Sequence, residues 1–261
     1  MWFTLQLKIS KNDYRSIFGL SLIELMVATA IGLMMTVLVI NYLSANLQTR
    51  NMNAGYNRMK DGGALSLYFL ANHTRDAGLK TLPIYGDATK TNGECNPVAD
   101  NCTNDTDSAF DRLVVRKIYP EDTIACNGEA LAENVEVLEV ISVDVSTDGN
   151  FLVCQSYSLT ANDWLGGTDA KRVLQAGIDG FQVQYYEKGL AQPVNGRSVT
   201  NWGNVAGVEV MVLANSQTPA FLKVRASRFK LLDSTELPFN DRLARQIFQT
   251  TIAFNNQLLN E

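Results

Sequence analysis

The chain has 261 residues, 46% of them hydrophobic and 19% charged, which is the balance of an ordinary globular protein and excludes disorder throughout. Its 22 lysines and arginines against 27 aspartates and glutamates leave a net charge of -5; phosphate contacts need clustered cations, so a generic nucleic-acid binder is excluded as well. The single histidine, His73, removes His-rich metal sites and any relay of two histidines.

The hydrophobic residues are concentrated at the start. From Leu20 to Leu43 the sequence reads LSLIELMVATAIGLMMTVLVINYL, and Glu24 is the only ionisable group before Tyr42. At ~1.5 Å rise per residue this segment spans ~36 Å as a helix, enough to cross a ~30 Å hydrocarbon layer with tilt. Ahead of it Lys8, Lys11 and Arg15 outweigh Asp13, so the leader carries +2. A positive flank stays on the cytoplasmic side, which predicts export of everything after the apolar segment. No small-residue cleavage pattern closes the apolar run as it would in a secretory signal. The small residue that stands out is Gly19, at the border between basic leader and apolar segment, and a cut there leaves the helix on the protein.

Gly19 followed by LSLIELMVA, with a glutamate five residues after the glycine, resembles the signal of type IV pilins and of type II secretion pseudopilins. The resemblance implies that a prepilin peptidase cuts between Gly19 and Leu20 on the cytoplasmic face and that the new amino terminus is methylated. Glu24 then becomes the fifth mature residue. Most major pilins have phenylalanine at the first mature position, where this chain has Leu20; leucine keeps the position apolar. A carboxylate deep in a bilayer costs roughly 2.5–3.5 kcal/mol on insertion scales, so Glu24 needs a partner. The ammonium created by cleavage, on its own or a neighbouring subunit, supplies one, and the pairing sets the register of stacked helices.

No proline interrupts the chain before Pro83, so the helix is predicted to continue through residues 44–80. Met52, Tyr56, Met59, Gly63, Leu67 and Leu70 fall three or four apart and form one stripe, which should pack on a sheet. Gly55, Gly62 and Gly63 interrupt the stripe and mark a bend or a close backbone approach. His73 and Arg75 suit the last turn, and Gly78 suits a left-handed cap.

Residues 81–261 read as β-structure. Alternation predicts strands at Arg112–Ile118, Val135–Val145, Phe151–Leu159, Phe181–Glu187, Val208–Leu213 and Ile247–Phe254. Thr147-Asp148-Gly149-Asn150 reads as the hairpin turn between the second and third. The polar stretch from Asp87 to Asp111 reads as a long loop projecting from the helix and sheet. Within it Asp100, Asp105, Asp107 and Asp111 could gather around calcium, but their spacing fits no EF-hand loop, and a solvated acidic loop is the preferred reading.

RMKDGGALSLYFLANHTRDAGL (Arg58 to Leu79), GIDGFQVQYYEKG, VAGVEVMVLANS and the terminal ARQIFQTTIAFNNQ are similar to blocks of the PilW family of type IV pilus minor pilins. That resemblance implies an α+β, pilin-like fold in which a long N-terminal helix, half membrane-embedded and half amphipathic, packs on antiparallel β-sheet. It also implies leader residues 1–19, a transmembrane and assembly helix at 20–43, and a globular domain in the periplasm before assembly and in the cell-surface fimbrium afterwards. The implied partners are other minor pilins, the major pilin, the prepilin peptidase, the inner membrane and a tip adhesin. The implied role is priming of pilus assembly. The J-type pseudopilin of type II secretion is the alternative within the same class, and a signal-anchored periplasmic enzyme or ligand-binding protein the alternative outside it.

Cys95, Cys102, Cys126 and Cys154 all follow the apolar segment, an even number where oxidation can occur. Three pairings are conceivable. Cys95 and Cys102 share one polar loop, Cys126 precedes a strand and Cys154 lies in the strand that returns from its hairpin, so sequential pairing is the economical choice. The chain contains no CxxC pair, no GxSxG, no GxxxxGK[ST], no HExxH and no GxGxxG, and neither an enzyme nor a cofactor is expected.

Overall fold

A computed structural model describes residues 21–119, 123–131 and 134–256. Gly19 and Leu20, with the rest of the basic leader, lie outside the described residues. The first described element is the helix α1, Leu22–Arg75, and the chain divides after Gln48 into two compact units.

Eleven strands follow α1 among the described residues: β1 (Leu113–Tyr119), β2 (Val135–Ser146), β3 (Gly149–Ser158), β4 (Asp163–Trp164), β5 (Arg172–Ala176), β6 (Ile178–Glu187), β7 (Val194–Asn195), β8 (Val205–Asn215), β9 (Arg225–Phe229), β10 (Leu237–Asp241) and β11 (Arg245–Ala253). One sheet runs β1-β2-β3-β4, with β5 also on β3; a second runs β11-β8-β6-β7; β9 and β10 form a hairpin. Every pairing is antiparallel. The architecture is α+β and pilin-like, with a long helix packed on antiparallel sheet.

All six strands read from alternation are present. Ser146 pairs with Gly149 across Thr147-Asp148, so the β2–β3 hairpin turns where its residues indicate. One apolar cluster joins Met59 and Leu70 of α1, Leu113, Val115, Ile141 and Leu152 of the first sheet, and Phe181, Val183, Val208 and Val210 of the second. The helix from Thr49 onward therefore buries its apolar stripe against both sheets.

One expectation is met and one is corrected. The helix ends at Arg75, with His73 and Arg75 in its last turn. Gly78, at φ +86, then turns the chain, and its N–H donates to the Arg116 carbonyl at 3.0 Å, tying the exit to β1. The polar segment from Asp87 to Asp111 does not project. It makes bridges to Asn201, Arg112 and Phe181 through Thr91, Asn104 and Phe110, and Cys102, Thr103 and Asp111 are buried. The Arg112 side chain holds it down, donating through Nε to the Cys102 carbonyl and through Nη2 to the Ala99 carbonyl, each at 2.7 Å.

Candidate functional site

In the first unit every described residue is exposed, and exposure continues along α1 to Asn51. Leu22, Ile23, Leu33 and Met34 are each at least 68% exposed. Single exposed apolar residues are ordinary on a protein surface, but a continuous apolar helix is not. The helix is long and apolar enough to cross a membrane. Its hydroxyls are turned inward: Thr29 Oγ1 donates to the Met26 carbonyl at 2.9 Å and Thr36 Oγ1 to the Gly32 carbonyl at 2.8 Å. Satisfying each hydroxyl on its own helix is what an apolar solvent demands.

Glu24 occupies the first turn, where its charge complements the helix dipole. The Ser21 N–H donates to Glu24 Oε2 at 3.4 Å, and Ser21 Oγ accepts from the Glu24 N–H at 3.3 Å. These reciprocal bonds form a capping box. The Ser-x-x-Glu spacing carries that signal in sequence, but a reading of Glu24 as a membrane acid in need of a cation passes over it. The cap stops α1 at its start and holds the carboxylate at the tip of the apolar segment.

On the second unit the small residues of α1 are the contact points. Gly55, Gly62 and Gly63 are buried together with Met59, Ser66 and Leu70. A Cβ on Gly63 would enter the Phe248 ring, and one on Gly62 would meet Gln175 Nε2 at 3.0 Å. The paired glycines are thus a close approach of helix to sheet, the second of the two meanings their position allows.

Where α1 ends, a buried ionic cluster ties it to the first sheet. Glu139 of β2 is fully buried, and its Oε2 accepts from Lys117 Nζ at 2.6 Å and lies 3.1 Å from His73 Nδ1. Its Oε1 accepts from the Tyr119 hydroxyl and, at 3.1 Å, from the Cys126 N–H. Burial pushes the Glu139 carboxyl up, but Lys117 and His73 outweigh burial and hold it at about 2. Both oxygens being doubly satisfied, the cluster locks the helix end, β1 and β2 in one arrangement. Its signal was present in the alternation: Val137, Glu139 and Ile141 share a face of β2, so an acid stands where the pattern wants an apolar residue.

The acids of the 87–111 segment go to protein partners. Asp100 pairs with Arg112 at 3.3 Å, and Asp107 and Asp105 both face Arg197. Asp111 is buried, with Oδ2 accepting from the Val183 N–H and Oδ1 from the Thr106 N–H, each at 2.9 Å. Burial pushes Asp111 up to about 8, against the lowering by those two N–H groups. Asp105 and Asp111 are thus buried, whereas Asp100 and Asp107 stay solvated as expected of an acidic loop. Cys95 sits opposite Cys102 and Cys126 opposite Cys154, with Cα separations of 5.7 and 5.9 Å, and both pairs are at disulfide distance.

An apolar helix capped by Ser21 and Glu24, continuing onto antiparallel sheets stapled by cysteine pairs, defines a pilin-like protein able to anchor in a membrane. Residues 140–256, from β2 through β11, match the family model of the Type IV Pilus-assembly protein W. The resemblance to PilW read from the sequence is thereby borne out over that region, and it supports a role in type IV pilus assembly. No curated protein and no solved structure matches the chain.

Proposed function

We propose that this chain is a minor pilin that takes part in priming type IV pilus assembly, at the pilus tip and in company with other minor pilins. The observation that carries the reading is the fully exposed apolar half of α1, with one acid fixed in its first turn, on a chain whose residues 140–256 match the pilus-assembly family. In this reading the prepilin peptidase cuts after Gly19, and Leu20 becomes the methylated terminus. Before assembly the helix lies in the inner membrane with the second unit in the periplasm. During assembly it enters a bundle of pilin helices, where Glu24 meets the terminal ammonium of a subunit and the pairing offsets its desolvation. The body selects neighbours and contributes no catalysis.

Crosslinking in cells tests the reading. A photoreactive residue at Tyr68, 61% exposed on α1 of the second unit, should capture sibling minor pilins. Capture of type II secretion pseudopilins instead would move the chain to the secretion machinery, and capture of neither would remove the association claim.

A further inference from the structure

The backbone of β11 carries an open edge that no element among the described residues covers. In the β8–β11 ladder Arg245 faces Asn215 and Ala253 faces Gly207. Just outside it the Ser216 N–H donates to the Ala244 carbonyl at 2.9 Å and the Phe254 N–H to the Ala206 carbonyl at 3.0 Å. Antiparallel pairs alternate, so the even-numbered residues of β11 direct their N–H and C=O groups to β8. The odd-numbered residues Ile247, Gln249, Thr251 and Ala253 direct theirs outward.

The other edges are closed or blunted. The outer edge of β1 is bonded at Val114 and Arg116 by Tyr85, Gly78 and Pro83. That of β6 is bonded at Phe181 by Ala109 and Asp111 and at Val183 by the Asp111 carboxylate, and β7 pairs with it alongside Gln184 and Tyr185. β5 is short, begins with Arg172 and pairs through a bulge; β9 carries Arg225 and Arg228, and β10 carries Pro238. Charges, proline, bulges and brevity are the devices by which sheets avoid edge-to-edge pairing. β11 has none over Gln246–Ala253: the run QIFQTTIA is uncharged and free of proline, and its register to β8 is regular. Its one charge, Arg245, is at the end and is held by Asp179 and Asp241.

We propose that this edge pairs with the same edge of a second copy of the chain, antiparallel, about a two-fold axis at Gln249. Only residues with outward groups can pair across the axis, and this register sets Ile247 against Thr251, Arg245 against Ala253 and Gln249 against itself. No like charges meet, and β-branched residues face each other on both sides of the axis. A closed two-fold contact also satisfies both open edges at once and leaves none to propagate. The proposal does not depend on the pilus assignment.

The test uses the full chain in detergent micelles. Sedimentation equilibrium should show a monomer–dimer equilibrium. Gln249→Lys, which sets two cations face to face at the axis, should weaken it by at least about tenfold. Under mild oxidation Gln249→Cys should form a covalent dimer by itself. Ile247→Cys and Thr251→Cys should crosslink when mixed and much less when alone, a register that no contact through α1 reproduces. A chain that stays monomeric, a dimer indifferent to Gln249→Lys, or cysteine crosslinks without this register would overturn the proposal. So would crosslinking of Gln249→Cys in cells to a different subunit in place of a second copy.

Discussion

Glu139 shows how one side chain can hold two elements together. Its four partners come from the helix end, from β1 and from the segment at Cys126. Removing the charge leaves Lys117 buried without its anion, so Glu139→Gln should cost about 3–5 kcal/mol, read as a lower midpoint in urea. The pH dependence has a definite sign. A carboxyl held at about 2 in the fold, below its unfolded value near 4.3, contributes stability that is complete above the unfolded value. That contribution is lost as the pH falls through 4 toward 2. Glu139→Gln should therefore flatten the acid limb of a stability–pH curve, and an unchanged limb would show that the cluster does not set acid stability.

The cysteines make a second prediction at this scale. Nonreducing peptide mapping of exported protein should link Cys95 to Cys102 and Cys126 to Cys154, and four free thiols would contradict it. The chain-entropy estimate gives about 2.5 kcal/mol for the first bridge and about 3.6 kcal/mol for the second. Loss of the second should cost more than loop length alone accounts for, because the Cys126 N–H is one of the donors to Glu139.

Among the elements, α1 is the one on which glycines at different positions do different work. Alanine favours a helix over glycine by roughly 1 kcal/mol, and Gly32→Ala should gain that, since nothing lies within 4 Å of its added Cβ. Gly63→Ala should instead lose stability by about 1–3 kcal/mol, because the methyl enters the Phe248 ring and forces helix and sheet apart. Thermal melts of the two variants should shift in opposite directions; a stabilised Gly63→Ala would mean the contact is loose. Much of this was legible in the sequence. The stripe from Met52 to Leu70 identified the packed face, and alternation located the six longer strands. β4 and β7 have two residues each, too few to show a period. β9 reads RASRF and β10 reads LPFND; arginines and a proline obscure their pattern, and their pairing to each other supplies what local preference lacks. The burial of Asp105 and Asp111 was hidden for a related reason, since their partners Arg197, Thr106 and Val183 come together only in the fold.

For the molecule as a whole, processing and assembly make separate demands on the N-terminal segment. Mass analysis of membrane protein should show a chain starting at Leu20, the leader having taken its +2 with it and moved the net charge from -5 to -7. An intact Met1 in assembled pili would exclude cleavage. Assembly then depends on what an exposed apolar helix does with a single acid, and here the capping box sharpens the test. Glutamine serves as well as glutamate at the third helical position of such a box, so Glu24→Gln keeps the helix start and removes only the charge. The most direct measurement is the number of pili per cell in a strain whose sole copy is Glu24→Gln, with the mature protein quantified in the same membranes. If Glu24 pairs with a subunit's terminal ammonium during assembly, the variant should be cut after Gly19 and accumulate in the membrane while pili become few or absent. Normal piliation by a normally processed Glu24→Gln chain would contradict assembly through this acid.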